Sequence, residues 1–239
     1  MMHKLLIRSA RKRTELQLQL VQSQLSSIKS QMNPHFIFNC IYSIYHLVLE
    51  EKFKETNIYI GKFGNILRSI LEHSEVDQIP LTQEIRILED YLDLEKLRFK
   101  SDFIYRIIID ISNEDKERIS LPPMLIQPFV ENAIKHGLIN KAGMKNLTIH
   151  FKITGSFISV RIEDNGVGRL STQHNKAQEH CSFSTKAIEK RIKLLNSTCQ
   201  ERISAMTSDL MNSKSESGTK VLIMIPLNQS LVYEKREIQ

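Results

Sequence analysis

Residues Pro122–Gly137 read PPMLIQPFVENAIKHG and carry the strongest structural signal in the chain. Proline is favoured at the first positions of a helix and glycine just after the last turn, so the segment predicts one helix closed by Gly137. Its apolar residues recur at helical spacing and predict a buried face. That face consists of Met124, Leu125, Phe129, Val130 and Ile134.

Four polar residues near the end of this helix could carry chemistry. Glu131 and Lys135 are four positions apart, as are Asn132 and His136, so the two pairs occupy neighbouring helix faces. Carboxylate and amide oxygens suit Mg²⁺, and cationic side chains suit phosphate. Taken alone, these residues fit an exposed helix face with a Glu–Lys ion pair even better.

Two further segments contain glycine at the edge of a predicted strand. In EDNGVG, which ends at Gly168, the glycines Gly166 and Gly168 allow the backbone to approach a ligand closely, and Asp164 could accept a hydrogen bond from an exocyclic amine. In SGTKVLIMIP, Thr219 begins the last predicted strand. Taken alone, the first segment is better explained as a strand-terminating turn, and the second is an ordinary strand.

Periodicity in the rest of the chain predicts helices first and a mixed α/β layer afterwards, which is an α+β fold class. The predicted helices are a heptad seam over residues 18–32, then residues 57–73, 81–99 and 185–196. The predicted strands are residues 103–111, 147–154, 157–164, 202–207 and 219–227. The turn Gly155-Ser156 predicts that the second and third strands form a hairpin.

A proline interrupts the heptad seam in the segment Gln31–Asn39, which reads QMNPHFIFN. Proline inside a helix removes a backbone donor and costs roughly 3 kcal/mol. The seam would place His35 inward, and a kink at Pro34 could turn it outward. A neutral imidazole is a workable nucleophile near neutral pH, so His35 is a candidate for covalent chemistry. A core histidine in a coiled-coil seam is the alternative.

Composition excludes several classes of protein. The 239 residues are 41% hydrophobic and 25% charged, as in soluble globular proteins, and no run reaches the roughly 18 apolar residues of a membrane helix. Three distant cysteines without a C-x-x-C motif indicate reduced thiols. Neither a P-loop nor a protein-kinase H-R-D set occurs. The basic cluster before Glu15 fits a nucleic-acid arm, a membrane flank or a solvated helix start.

In this order, the motifs together resemble the GHKL ATP-binding fold, and most closely the sensor histidine kinases of the LytS/YehU type. QMNPHFIFN is similar to that family's phosphoacceptor motif, PPMLIQPFVENAIKHG to its N box, and DNGVGR to its first glycine box. The similarity spans residues 16–227. It implies an N-terminal helical hairpin for dimerisation and phosphoacceptance, followed by an α/β sandwich that binds ATP.

The resemblance also implies limits for these regions. They are a basic segment over residues 1–15, a helical dimerisation and phosphoacceptor region over 16–78, a GHKL catalytic domain over 79–230 and a tail over 231–239.

Roles for individual residues follow from the same resemblance. His35 matches the phosphorylated histidine, while Asn39 or Glu131 could orient its proton. The second glycine-rich segment of the family is replaced here by Ser182–Thr185, where hydroxyls such as that of Ser184 would add donors for phosphate. The implied nucleotide site consists of Asn132 as the Mg²⁺ ligand, Lys135 and His136 near the phosphates, Asp164 as the adenine reader, Gly166 and Gly168 shaping the pocket, Ser184, and Thr219 beside the adenine.

The implied function is that of a two-component sensor kinase. It would use ATP and Mg²⁺ to phosphorylate His35 and pass the phosphoryl group to an aspartate of a response regulator, most often one of the LytTR type. The chain would be a homodimer without direct nucleic-acid contact. It would be cytoplasmic, or held at the cytoplasmic face of the membrane by an upstream anchor. The alternatives are a dimeric signalling scaffold that binds nucleotide poorly, and a GHKL ATPase without autophosphorylation.

Overall fold

The computed structural model describes residues 34–73, 76, 78–99, 102–168, 188–193, 195–196, 202–211 and 217–227. The chain forms two compact units, Met1–Val76 and Asp77–Gln239. The basic segment, the predicted heptad seam, Ser182–Thr185 with Ser184, and the tail lie outside the described residues. None of the helices in the described ranges combines the length and the apolar character that a membrane crossing requires.

The first unit contains two packed helices, α1 (Pro34–Leu49) and α2 (Phe53–His73). A tight turn joins them, with Glu51 in the left-handed region and the Lys52 amide donating to the Leu47 carbonyl at 2.9 Å. The predicted helical hairpin therefore exists, although its second helix begins four residues before the predicted Asn57. Glu55 in its first turn favours that earlier start, because an acid stabilises the positive end of the helix dipole.

The second unit is built on a five-stranded mixed sheet, whose strands follow one another across the sheet in the order β2 (Phe103–Asp110), β4 (Lys145–Thr154), β5 (Phe157–Asp164), β7 (Ser217–Pro226) and β6 (Ser204–Met211). Strands β2 and β4 are parallel and the other pairs are antiparallel. The elements in chain order are β1 (Ile79–Pro80), α3 (Leu81–Phe99), β2 (Phe103–Asp110), α4 (Asn113–Arg118), β3 (Ser120–Leu121), α5 (Gln127–Asn132), a π-helix (Ala133–Leu138), β4 (Lys145–Thr154), β5 (Phe157–Asp164), β6 (Ser204–Met211) and β7 (Ser217–Pro226). Residues 188–193 and 195–196 are also helical.

The core lies on one face of this sheet. Successive side chains of a strand point to opposite faces, so alternate residues of β4, β5 and β7 share one side. These residues are fully or almost fully buried, and the π-helix packs on the strands that carry them; they are Leu147, Ile149, Phe151, Ile158, Val160, Ile162, Val221, Ile223 and Ile225. The α+β fold class predicted from the sequence is confirmed.

The strand predictions hold with changed limits. The hairpin around Gly155-Ser156 is confirmed, and Gly155 adopts the positive φ of 60° that the turn requires. The last two strands, β6 and β7, extend further toward their connecting turn than the predicted 202–207 and 219–227. The whole of β6 pairs with residues 217–224 of β7, and this pairing continues past the apolar residues that the sequence pattern can detect.

The helix predicted over Pro122–Gly137 is the main correction. Pro122 and Pro123 do not begin a helix, since α5 starts only at Gln127, with Pro128 in its first turn, and Met124 lies in the left-handed region with φ 55°. Gly137 does not end it either, because the chain continues through Gly137 as the π-helix. The Ile139 amide donates to the Ile134 carbonyl five residues back, at 2.9 Å.

Candidate functional site

A pocket of about 320 Å³ opens in the second unit between its helices and the sheet. Three groups of residues form its walls: α5 with the π-helix, the helical residues 188–193, and the strands β5, β6 and β7 with the loop that follows β5. The lining residues are Phe129, Asn132, Ala133, His136, Gly137, Asp164, Gly168, Ile188, Glu189, Ile192, Lys193, Ala205, Thr207, Thr219 and Val221.

The pocket brings together many of the residues predicted from the sequence. Those that line it are Asn132, His136, Asp164, Gly168 and Thr219. Glu131, Lys135 and Gly166 lie beside it without lining it, and Ser184 is outside the described residues. His35 and Asn39 are on α1 in the first unit.

Asp164 is the last residue of β5 and is only 4% exposed. Its carboxylate accepts a hydrogen bond from the Gly166 amide at 2.8 Å, and it also accepts hydrogen bonds from the backbone and hydroxyl of Thr219, its partner on β7. Burial nevertheless raises the pKa of Asp164 to about 6, and the negative charge of Asp209 contributes in the same direction. A buried acid at the floor of a pocket is suited to binding a donor group of a ligand.

Glycines allow three backbone segments to meet around this acid. A Cβ on Gly137 would lie 2.6 Å from Asp164 Oδ1, and one on Gly166 would lie 2.4 Å from the Gly137 carbonyl carbon. The Val167 amide donates to the Gly137 carbonyl at 3.1 Å and fastens the loop to the π-helix. Close packing against Asp164 therefore requires a residue without a Cβ at position 137.

Sequence reasoning missed the glycine on the other side of the acid. A Cβ on Gly218 would lie 2.2 Å from the Asp164 carbonyl oxygen. The Ser217 hydroxyl, next to it, donates to the Gly166 carbonyl at 3.0 Å. The signal was present in SGTKVLIMIP, which places a glycine directly before Thr219, but it was interpreted only as the entry to a strand.

Glu131 does not lie on an open helix face, so the simple Glu–Lys surface pair is not what the structure shows. Gln127 Nε2 donates to Glu131 Oε1 at 3.0 Å. Burial raises the pKa of Glu131 to about 7, and the buried carboxylate of Glu95 adds to the increase, while Lys135 opposes it. Glu131 can therefore exchange a proton near neutral pH.

His136 contributes a neutral ring to the pocket. Burial, followed by the charge of Lys135, lowers the pKa of His136. Its Nε2 atom is buried and has no hydrogen-bond partner among the residues that the structure describes. A buried polar atom without a partner in a pocket wall is suited to hydrogen bonding with a ligand.

The helical residues 188–193 form a wall that sequence reasoning did not assign to the site. Ile188 and Ile192 present apolar surface, while Glu189 and Lys193 present charges at the same face. The only signal was amphipathic periodicity, which predicts a helix but not its neighbour. Together with Asp164 and two threonines, this wall suits a flat heteroaromatic ring that bears an amine.

Known proteins that are similar to this chain are sensor histidine kinases. A family model described as histidine kinase matches residues 23–103. Sensor protein LytS of Staphylococcus epidermidis strain RP62A is 30% identical over 220 residues, which cover 90% of this chain and 36% of that protein. The sensor histidine kinase/phosphatase LytS of Staphylococcus aureus strain Mu50 is 35% identical over 153 residues, which cover 62% and 25% respectively.

The chain is a relative of the LytS-type sensor histidine kinases. The predicted family is thereby confirmed, and the chain spans about a third of the length of the curated LytS proteins that it matches. Among solved structures, the histidine kinase domain of the Erythrobacter litoralis EL346 blue-light activated histidine kinase is 14% identical, with 83% of this chain and 98% of that domain covered and a TM-score of 0.43. The fold assignment rests on the strand order and the packing of the sheet.

The family match and the pocket involve different parts of the chain. The family match ends at residue 103, whereas Asp164 and Thr219 lie well beyond it. The matched segment thus covers the helices of the first unit together with α3, and the longer similarity to LytS includes the sheet.

Proposed function

We propose that the chain is the kinase core of a two-component sensor and uses Mg-ATP to phosphorylate His35. The observation that carries the proposal is the buried carboxylate of Asp164 at the floor of the pocket, enclosed by Gly137 and Gly166 in a LytS relative. Residues 79–230 would form the ATP-binding domain, and residues 16–78 the dimerisation and phosphoacceptor region.

The residues present fit a nucleotide with a bound metal ion. Asp164 would accept from the exocyclic amine of adenine, with Thr219 beside the ring and with Gly166 and Gly168 shaping the loop. Asn132 would offer its amide oxygen to Mg²⁺, which typically takes one or two protein oxygens and completes its shell with phosphates and water. Mg²⁺ offsets charge on the transferring phosphoryl group when bound.

Further side chains would serve the triphosphate and the proton of the acceptor. Lys135 supplies a positive charge next to the pocket, and the Nε2 atom of His136, which is without a hydrogen-bond partner in the described part of the chain, supplies a polar atom. Glu131, with a pKa of about 7, is suited to take up a proton, and Asn39 lies one helical turn after His35. Ser184 would add a donor for phosphate.

We further propose that the phosphoryl group passes from His35 to an aspartate of a response regulator of the LytTR type. The chain would act as a homodimer, make no direct nucleic-acid contact and work in the cytoplasm or at the cytoplasmic face of the membrane. The dimer proposal is supported by large apolar side chains of α1 that are exposed within the described residues; they are Phe38, Ile41, Tyr42, Tyr45, Val48 and Leu49.

Incubation with γ-labelled ATP and Mg²⁺ tests the kinase proposal. The parent chain is expected to acquire an acid-labile, base-stable label that is lost in His35→Gln and in Asn132→Ala. His150→Gln is the matched control, because His150 belongs to a polar cluster with Asp110 and Arg161 on the sheet. It should be labelled like the parent.

The same assay separates the alternatives. Release of phosphate without labelled protein would contradict autophosphorylation and support an ATPase. Absence of any affinity for Mg-ATP in a folded parent would contradict both enzymes and support a dimeric scaffold. A label that persists in His35→Gln would reassign the acceptor.

A further inference from the structure

The segment immediately before α5 is buried although it is neither helix nor strand. Pro123, Met124, Leu125 and Ile126 all have buried side chains, and Met124 adopts a positive φ of 55°. Ile126, at the helix N-cap position, makes no side-chain capping hydrogen bond. Buried backbone groups need hydrogen-bond partners, so another part of the protein must satisfy those of this segment.

Glu84 of α3 supplies the acceptors for this segment. Its side chain is fully buried, and its two carboxylate oxygens accept from the Met124 amide at 2.8 Å and from the Ile126 amide at 3.1 Å. Burial raises the pKa of Glu84, and the hydrogen bonds from the Ile126, Met124 and Leu125 amides oppose that increase. A carboxylate at the start of α5 is favourable for the helix dipole, so Glu84 acts as a cap delivered from another helix.

Arg191 supplies the donors for the same segment. Its Nη1 donates to the Met124 carbonyl at 3.2 Å and its Nη2 donates to the Pro123 carbonyl. The positive charge of Arg191 also favours ionised Glu84. One acid and one base from two distant parts of the chain therefore bind four backbone groups of a single short segment.

Both residues sit at the junction of two pocket walls. The segment leads into α5, which contributes Phe129 and Asn132 to the pocket, and Arg191 belongs to the helical residues that contribute Ile188 and Ile192. Arg191 therefore ties one wall to the start of the other. Buried or half-buried charged side chains are a weak source of stability compared with apolar packing, so the presence of Glu84 and Arg191 here favours a role in fixing geometry.

We propose that Glu84 and Arg191 are positioning residues of the nucleotide site, which hold the wall that carries Asn132 and the wall that carries Ile192 at the separation a nucleotide requires. This inference rests on the proposed function, because it takes the ligand of the pocket to be Mg-ATP. Neither residue touches the pocket itself, and both act through the backbone of residues 123–126.

The first test titrates the full chain with a fluorescent ATP analogue and Mg²⁺. Glu84→Gln retains one acceptor oxygen, and Arg191→Met retains the apolar stem, and each is expected to raise the Kd about tenfold. The double variant should lose no more nucleotide affinity than the weaker-binding single variant, because the two side chains act on one segment. Ile158→Ala, at the opposite end of β5 from Asp164, is the control; it should lower stability and leave the Kd of its folded form unchanged.

The second test measures hydrogen exchange of the same proteins without nucleotide. Amides of residues 124–138 should exchange faster in both single variants, while those of the β4–β5 hairpin keep the parent's rates. Faster exchange with a Kd within twofold of the parent would overturn the proposal, because the pair would then serve stability alone. Unchanged exchange would overturn it as well.

The two tests distinguish failure of this inference from failure of the proposed function. A folded parent that binds no nucleotide overturns the proposed function and, with it, the assignment of the pair to a nucleotide site. Exchange rates in that case still show whether Glu84 and Arg191 hold the segment. Nucleotide binding by the parent with unaltered binding by the variants overturns only the inference.

Discussion

At the scale of single residues, the buried Asp164 in the pocket lowers the unfolding free energy at neutral pH. Its pKa in the folded protein, about 6, lies above its ordinary value of 3.8. The folded state therefore binds more protons than the unfolded state between these values, so this residue's contribution to the unfolding free energy falls as pH rises from about 4 to 6. A buried carboxyl group that lowers stability at neutral pH is better explained by ligand binding than by packing.

Nucleotide affinity should depend on the ionisation of Asp164. Below pH 6 the carboxyl becomes protonated and loses an acceptor for the adenine amine, so the Kd for Mg-ATP should rise as pH falls from 7 to 5. Calorimetric titration at several pH values measures this change. The phosphate groups of the nucleotide also titrate in this range, so Asp164→Asn serves as the reference. It should bind the nucleotide more weakly, and its pH profile should lack the part that comes from Asp164. Equal pH profiles for the two proteins would refute the prediction.

Gly137→Ala should disrupt the site through sterics alone. The added Cβ would stand 2.6 Å from Asp164 Oδ1, so the acid or the π-helix must shift. We expect a loss of about 1–3 kcal/mol in unfolding free energy and at least about a tenfold increase in nucleotide Kd. Urea denaturation and fluorescence titration measure the two effects.

Gly64→Ala is the matched control for this substitution. Gly64 is a helical glycine of α2, and a Cβ there would meet no atom within 4 Å. The unfolding free energy of this variant should rise by roughly 0.5–1 kcal/mol, since alanine is favoured over glycine in a helix interior. A Gly137→Ala protein that binds nucleotide like the parent would show that the close packing is dispensable.

At the scale of elements, the segment 122–138 differs most from its local pattern. A single α-helix was predicted there, and a buried left-handed turn, a short α-helix and a π-helix are observed. Glu84 stabilises the turn by accepting hydrogen bonds from its amides, and the missing Cβ of Gly137 leaves room for the Asp164 carboxylate. The π-helix is defined by hydrogen bonds between residues five positions apart, a feature often found at functional sites.

The β4–β5 hairpin offers an element-scale prediction that is independent of the pocket. Gly155 has φ 60°, and a Cβ there would meet no atom within 4 Å. Gly155→Ala should therefore lower the unfolding free energy by about 1–2 kcal/mol through backbone strain alone. Urea denaturation checks this value, with Ser156→Ala as the control of similar size change.

Nucleotide binding should remain intact in Gly155→Ala. The turn lies at the opposite end of the β5 strand from Asp164. A stability loss below about 0.3 kcal/mol would argue against the left-handed turn, whereas a changed Kd would show that strain at the turn is transmitted along the hairpin.

At the scale of the whole molecule, the two units suggest a division between assembly and nucleotide binding. The first unit exposes aromatic and aliphatic side chains along α1, and the second contains the pocket. Large exposed apolar patches are typical of protein interfaces. The proposed homodimer would bury this surface and leave the sheet and pocket to bind ATP.

Charge placed on α1 should therefore alter oligomeric state without affecting the pocket. In the double variant Tyr45→Glu/Leu49→Glu, two exposed apolar side chains become carboxylates. If the dimer buries them, its dissociation constant should rise at least about tenfold. Sedimentation velocity measures the change, and nucleotide affinity per chain should stay at the parent's value.

Lys54→Glu provides the control for the added charge, because Lys54 is an exposed polar residue of α2. It should leave the sedimentation coefficient unchanged. A parent that sediments as a monomer, or a double variant that remains dimeric, would exclude α1 as the dimer interface.

Local sequence already contained the helical and strand periodicities, the hairpin turn and the polar residues Asn132, His136, Asp164 and Thr219. Each of these depends on side-chain chemistry and neighbours within one or two turns of chain, so it can be read without knowing the fold. Contacts across long separations could not be read in this way. Glu84 accepts a hydrogen bond from an amide 40 residues away, and Arg191 donates one to a carbonyl 67 residues away. The Asp164 carboxylate occupies the space that a Cβ on Gly137 would need. Packing of the helices on the sheet created those encounters, and with them the left-handed turn, the π-helix and the pocket.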